Sequence, residues 1–136
     1  MTVYLVDTSV WIDYFQQRDT EASTHFLEIL NRGHPYGITS VVYQEVLQGA
    51  DSEHDLIRLA AYLSTLCFYH PRHPVASYEA AARLFFRCRR KGVTIRSTID
   101  CLIAQVAIEN ELYLVHNDRD FDHIARVIPA LRIAAR

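Results

Sequence analysis

Apolar and polar positions change period repeatedly along this chain, and each change marks an element. Residues 3–6 (Val-Tyr-Leu-Val) are an unbroken apolar run of strand length, as expected of a strand buried on both faces. Directly after it Val10, Trp11 and Tyr14 form a short apolar helical face, with Asp7 or Ser9 placed to cap a helix beginning near Val10. A second helix is predicted over about 20–31, stopped by Gly33. Residues 36–39 (Tyr-Gly-Ile-Thr) form a brief strand, and Ser40 is placed to cap a helix over 41–48. The next helix starts at Asp51 or Ser52 and carries Leu56, Leu59, Ala60 and Leu63 at i, i+3, i+4 and i+7.

Residues 67–70 predict a third strand, ended by Pro71. A helix follows over about 75–91, with Tyr78, Ala81, Ala82, Phe85 and Cys88 inward, and Gly92 ends it. Ser97 opens a long helix with Ile99, Leu102, Ile103, Val106 and Ala107 inward. Residues 113–115 predict a strand, then the acidic turn HNDRDFD, and 131–133 a last short strand. Strands alternating with helices predict one three-layer α/β/α domain over 1–136 with a central, mainly parallel sheet. In such sheets ligands bind beyond the carboxyl ends of the strands.

Composition narrows this little. Half the 136 residues are hydrophobic and the net charge is −2, as in an ordinary globular protein. No apolar run reaches membrane-spanning length, and the N-terminus lacks a secretory leader pattern. No membrane association is expected, and the cytoplasm is the expected compartment. Cys67, Cys88 and Cys101 have no zinc or CxxC spacing and are read as reduced core thiols. Charge distribution says more than net charge. Six of the fourteen basic residues lie between Arg83 and Arg96, and thirteen of the fourteen are Arg, which suits bidentate contact with carboxylate or phosphate.

The candidate chemistry lies in four acids. Asp7 and Asp118 each follow an apolar strand, where a helix cap or a turn residue would also serve. Asp100 stands in Ser97-Thr98-Ile99-Asp100, an [ST]xx[DE] capping signature, yet it borders the apolar stripe of its helix. Glu45 lies among apolar neighbours in VVYQEVL, where a solvated helix face is the alternative. Four acids converging without cations would repel one another and be costly to desolvate. A divalent ion removes that cost, because carboxylate oxygens suit Mg²⁺ or Mn²⁺. Such ions lower the pKa of water and clamp a phosphodiester. Spacing alone leaves open whether the four meet.

The ordered stretches VDTSVWI, TSVVYQEVLQG and STIDCLIAQVAIENELYLVHNDRDFDHIA resemble the PIN-domain nucleases, and within them the VapC toxins of toxin–antitoxin pairs. The resemblance runs from Val3 to about Ile133 and implies a PIN-like α/β/α fold. It maps the family's metal-site acids, which are also its catalytic residues, onto Asp7, Glu45, Asp100 and Asp118. Thr8, Ser9 and Asn117 would support them, with Asp120 supporting or structural. Asp122 is an extra acid read as a helix-start residue. His116 stands where many relatives carry Thr and offers a hydrogen bond to the site or the substrate. The implied activity is a Mg²⁺- or Mn²⁺-dependent endoribonuclease acting on structured RNA of tRNA or rRNA type, leaving 5′-phosphate and 3′-hydroxyl ends. The implied partners are a second copy of the chain and a cognate VapB-type antitoxin.

Outside that set, Arg83, Arg87 and Arg90 form an i, i+4, i+7 stripe with Lys91 and Arg96 close behind. An RNA backbone, an acidic antitoxin tail or water alone would fit it. His70 and His73 sit in a Pro-bounded loop with no third ligand, which disfavours both a metal pair and an acid–base pair. A phosphoacceptor signalling domain would need paired acids after the first strand and a late Lys; the chain has neither. A non-catalytic RNA- or protein-binding module on the same fold is the surviving alternative, although it predicts loss of the acids.

Overall fold

The first strand is the middle of the sheet. In the computed structural model, which describes residues 1–135, five strands run in the order β3-β2-β1-β4-β5: β1 (Tyr4–Val6), β2 (Tyr36–Thr39), β3 (Cys67–Tyr69), β4 (Tyr113–Val115) and β5 (Arg132–Ile133). Every pairing is parallel, so each connection needs a crossover, and helices supply them all. α1 (Thr8–Phe15) and α2 (Glu21–Asn31) link β1 to β2; α3 (Ser40–Gln48) and α4 (Glu53–Leu63) link β2 to β3. α5 (Ala76–Arg90) and α6 (Thr98–Glu109) lead to β4, and α7 (Arg119–Val127) to β5. Right-handed crossovers moving outward from β1 in opposite directions put α1–α4 on one face and α5–α7 on the other. That is the three-layer α/β/α architecture.

The strands are short because β1 and β4 are buried on both faces and need few residues to do it. Leu5, Val6, Leu114 and Val115 are at most 2% exposed. From α1–α4 they meet Val10, Trp11, Phe26 and Leu63, and from the other layer Ile103, Val106, Phe121 and Ile124, in one apolar cluster. α2 and α5 end where expected, at Gly33 and Gly92, whose φ angles of +67° and +78° only glycine adopts without strain.

Several local expectations are corrected. α1 begins at Thr8, and its cap is Asp7, whose carboxylate accepts the Ser9 N–H at 3.1 Å. Ser40 is the first residue of α3, with Thr39 at the cap position making no side-chain bond. The stripe HNDRDFD is not a plain turn: it opens α7, and Phe121 and Ile124 are its buried contacts. α5 turns Ser77, Ala81, Leu84 and Cys88 inward, while Tyr78 is 54% exposed. Two inward positions were missed, Leu84 and Ser77; Ser77 is polar, and its hydroxyl bonds Glu109 at 2.8 Å. Leu56 remains exposed at the first turn of α4. Cys67 is an exposed thiol on the edge strand β3 rather than a core one; Cys88 and Cys101 are buried, and all three are free. Among the described residues no helix is long and apolar enough to cross a membrane.

Candidate metal centre

The order β3-β2-β1-β4-β5 reverses direction between β1 and β4, where the chain leaves one strand toward β2 and the other toward β5. A crevice therefore opens at their carboxyl ends. Val6 and Val115 are register partners, so the next residues, Asp7 and His116, emerge side by side. The Asp7 N–H continues the ladder, donating to the Val115 carbonyl at 2.9 Å. Asp7 is 5% exposed. Ser9 joins the two strand exits: its hydroxyl donates to Asp7 Oδ2 at 2.6 Å and accepts the Asn117 N–H at 2.9 Å. Thr8 donates to Glu45 Oε1 at 2.7 Å, which turns the side chain of α3 toward the same edge.

The other wall comes from α6 and α7. Ser97 caps α6 through the Ile99 N–H. Asp100, in the first turn, joins Asp118 and Asp120, each offering an oxygen within 4.8 Å of the others. Asp118 caps α7 by accepting the Asp120 N–H at 3.0 Å. Asp120 is 3% exposed. α7 starts at Arg119, directly after its cap Asp118, and its first turn brings Asp120 inward beside Asp118 and Asp100.

Arg96 faces this group, and His123 Nδ1 lies 3.7 Å from Asp120 Oδ1. Arg96 donates from Nη2 to Asp118 Oδ1 and from Nε to Asp120 Oδ2, both at 3.0 Å, and its backbone N–H also reaches Asp120. Arg96, read from the sequence as a possible RNA or antitoxin contact, turns its guanidinium to the acids while its side chain stays 62% exposed. Burial alone would raise Asp120, but the Arg96 bonds and charge outweigh it and hold that carboxyl below the usual range. The acids Arg96 does not bond behave oppositely. Burial, opposed by the Ser9 bonds and aided by Glu45, pushes Asp7 up to about 6. Asp100 rises to about 7 through burial and then the charges of Asp7, Asp118, Asp120 and Glu45.

The four acids singled out from the sequence therefore act on one another, with Asp120 as a fifth. The donor set is all carboxylate, which suits a hard divalent cation, and the protein's own positive charge covers only one side of it. Asp100, Asp118 and Asp120 could hold such an ion, with Asp7 and Glu45 close enough to act on Asp100 by charge. Asn117, expected to support the acids, turns its amide away, donating to Asp13 Oδ2 at 2.8 Å. Asp13 is the residue that sequence reasoning missed. It is 4% exposed, also accepts from Thr20 Oγ1 and lies 3.7 Å from Arg18. Its signal was an acid inside the apolar stretch of α1, the same signal that singled out Glu45. Asp122 stands apart from the trio, 3.1 Å from His116 Nε2.

Of the basic stripe, Arg83 pairs with Glu79 one turn away, and Arg90 lies over the exposed Phe86 ring at 5.7 Å. Arg87 is exposed beside them. His70 stands 3.4 Å from Ser40 Oγ, in no metal-ligating group among the described residues. A cavity of about 610 Å³ lies away from the acid trio, between α1, α2 and α4. Tyr14, Phe15, Leu27 and Tyr62 give it apolar walls, with Arg18 and Arg58 on its rim. An adjoining cavity of about 270 Å³ shares Phe15 and Arg58 and reaches Glu45.

Comparison with known proteins agrees with this geometry. The family model of the PIN domain matches residues 4–127. A VapC ribonuclease of Mycobacterium bovis and the ribonuclease VapC11 of Mycobacterium tuberculosis are each 35% identical to the chain over 127 residues, spanning 90% of it and 92% of the relative. Among solved structures, VapBC2 of Rickettsia felis bound to a promoter DNA fragment superposes with a TM-score of 0.73 at 23% identity, covering 98% of both chains. The DNA-bound VapBC of Salmonella typhimurium gives 0.73 at 22% identity with the same coverage. By sequence, fold and the order of its acids, the chain belongs to the PIN-domain family and, within it, to the VapC group.

Proposed function

We propose that the chain is a metal-dependent endoribonuclease toxin that hydrolyses phosphodiester bonds in structured RNA of tRNA or rRNA type. The observation that carries this reading is the convergence of Asp7, Glu45, Asp118 and Asp120 on Asp100, at the one edge where a parallel sheet opens a crevice. A bound Mg²⁺ or Mn²⁺ supplies activation of the attacking water and charge stabilisation at phosphorus. The chain's own groups do the rest. Ser9 and Thr8 hold Asp7 and Glu45 in place from the first turn of α1. Arg96 keeps Asp120 ionised, bonds Asp118, and leaves an exposed guanidinium edge toward which an RNA phosphate can be drawn. Arg83, Arg87 and Arg90 extend the positive surface along α5.

The toxin reading adds a VapB-type antitoxin, a homodimer and a cytoplasmic setting. The groove between α1, α2 and α4 is an apolar trough for an amphipathic antitoxin segment. Its rim Arg18 and Arg58 suit acidic side chains, and Asp13 ties its wall to Asn117 beside the acids. The relatives named VapC ribonuclease and the VapBC complexes support both halves of the proposal.

The test is cleavage of a total-RNA pool by antitoxin-free protein with Mg²⁺ or Mn²⁺, beside EDTA and Asp100→Asn controls. Discrete cuts bearing 5′-phosphates and lost in both controls are expected. Cutting that persists in EDTA would remove the metal mechanism. RNA binding without cutting would favour a non-catalytic module.

A further inference from the structure

We propose that His116 is a positioning residue for Asp118: a neutral imidazole that holds the Asp118 backbone by one ring nitrogen and is itself held by Asp122 through the other. This rests on the reading that Asp118 helps bind a divalent ion. His116 is 1% exposed, and its ring packs against Phe121 with centroids 5.3 Å apart. The Asp118 N–H lies 3.1 Å from His116 Nδ1. A backbone N–H can only donate, so Nδ1 must present its lone pair. A neutral ring then carries its hydrogen on Nε2, which points at Asp122 Oδ1, 3.1 Å away. Together the two contacts call for the tautomer with hydrogen on Nε2.

The bond closes a two-residue clasp at the place where β4 becomes α7. Asp118 has extended backbone angles, φ −140° and ψ 117°, while the next residue is already helical. Its carboxylate is aimed by this bend: Oδ1 accepts both the Asp120 N–H and Arg96 Nη2. The helix itself makes no use of the N–H of its own cap residue. His116 supplies that partner from two residues upstream. Asp122, one turn into α7, then pins the ring to the helix it introduces. Asp122 thus serves the centre through His116, and its carboxylate has no need to approach the acid trio. A ligand's orienting partners commonly matter nearly as much as the ligand.

Two substitutions separate the ring's nitrogens. His116→Asn places an amide oxygen near the position of Nδ1 and keeps the acceptor; His116→Gln reaches toward Nε2 and loses it. Mn²⁺ affinity is read by the electron paramagnetic resonance of free Mn²⁺, with melting followed in EDTA. The expected result is a Kd within about threefold of wild type for Asn and weakened by about tenfold or more for Gln. Equal loss in two variants that both melt cooperatively, or no loss in either, overturns the proposal. Imidazole nitrogen shifts of the wild-type protein give an answer that needs no variant: a proton found on Nδ1 overturns it. Wild-type protein that binds no Mn²⁺ overturns the metal reading and with it the positioning role. Amide exchange at Asp118, slow in wild type and Asn but fast in Gln, still decides the clasp in that event.

Discussion

Arg96 divides the acids into two populations. Asp118 and Asp120, which it bonds, form charge-assisted pairs. Asp7 and Asp100, which it does not, keep their protons far higher than a free Asp, at about 6 and about 7. In the unfolded chain both would titrate near 3.8. Between that value and about 7 the folded state binds more protons than the unfolded one, so stability falls as pH rises. The metal-free protein should melt at progressively lower temperature from about pH 4 to about pH 7, and millimolar Mg²⁺ or Mn²⁺ should restore most of the loss. Asp100→Asn removes the group with the largest rise. We expect it to flatten that slope and to stabilise the metal-free protein by roughly 1–2 kcal/mol near the upper end of the range. A slope unchanged by Asp100→Asn would show that Asp100 is not the group responsible.

At the scale of elements, short strands make every close approach count. β2 and β3 touch most tightly at Gly37, where an added Cβ would lie 2.6 Å from the Cys67 carbonyl oxygen and 2.5 Å from the Tyr69 ring. The Tyr69 ring could swing aside; the carbonyl belongs to a paired strand and cannot. Gly37→Ala should therefore destabilise the protein by about 1–3 kcal/mol, seen as a lower denaturant midpoint with an unchanged slope. Such a contact is invisible to periodicity, which located β2 and β3 themselves without difficulty. The same contrast runs through the candidate site. Asp7 and Asp118 were legible because each ends an apolar run that can only be a buried strand. Asp100 and Glu45 were legible as acids beside apolar stripes. Asp120 was legible only as a supporting or structural acid, and Asp13 was passed over although it carries the same signal as Glu45. α7 begins one residue after Asp118, and HNDRDFD has too few apolar residues to announce a helix. The link of Arg96 to the acids was not legible, because its sequence neighbours are exposed cations and its partners are acids 22 and 24 positions away.

For the whole molecule, the two helical layers are unequal in what they leave open. The α1–α4 layer carries the long groove and the exposed Leu27, Ile57 and Tyr62. The other layer presents α5 and its arginines. On the proposed function these are separate surfaces, one for a protein segment and one for RNA. Leu27→Asp places a carboxylate in the apolar wall of the groove and adds desolvation cost to any apolar segment seated there. Its expected effect is a Kd for the antitoxin raised about tenfold or more, with the melting temperature of the free toxin unchanged because Leu27 is 45% exposed already. Titration calorimetry against the antitoxin measures it. An unaltered Kd would move the docking site elsewhere.

The central position of β1 also sets a timetable. The strand made first waits between β2 and a neighbour, β4, whose residues are 113–115. The first acid at position 7 is separated from the last at 120 by 113 residues of synthesis, roughly 6–20 seconds at ordinary ribosomal speed. Until β4 slots in beside β1, Asp7 has no opposite wall and the trio on α6 and α7 has no crevice to face. A nascent chain therefore cannot assemble these acids before residue 120 has been made and α7 has folded against β4.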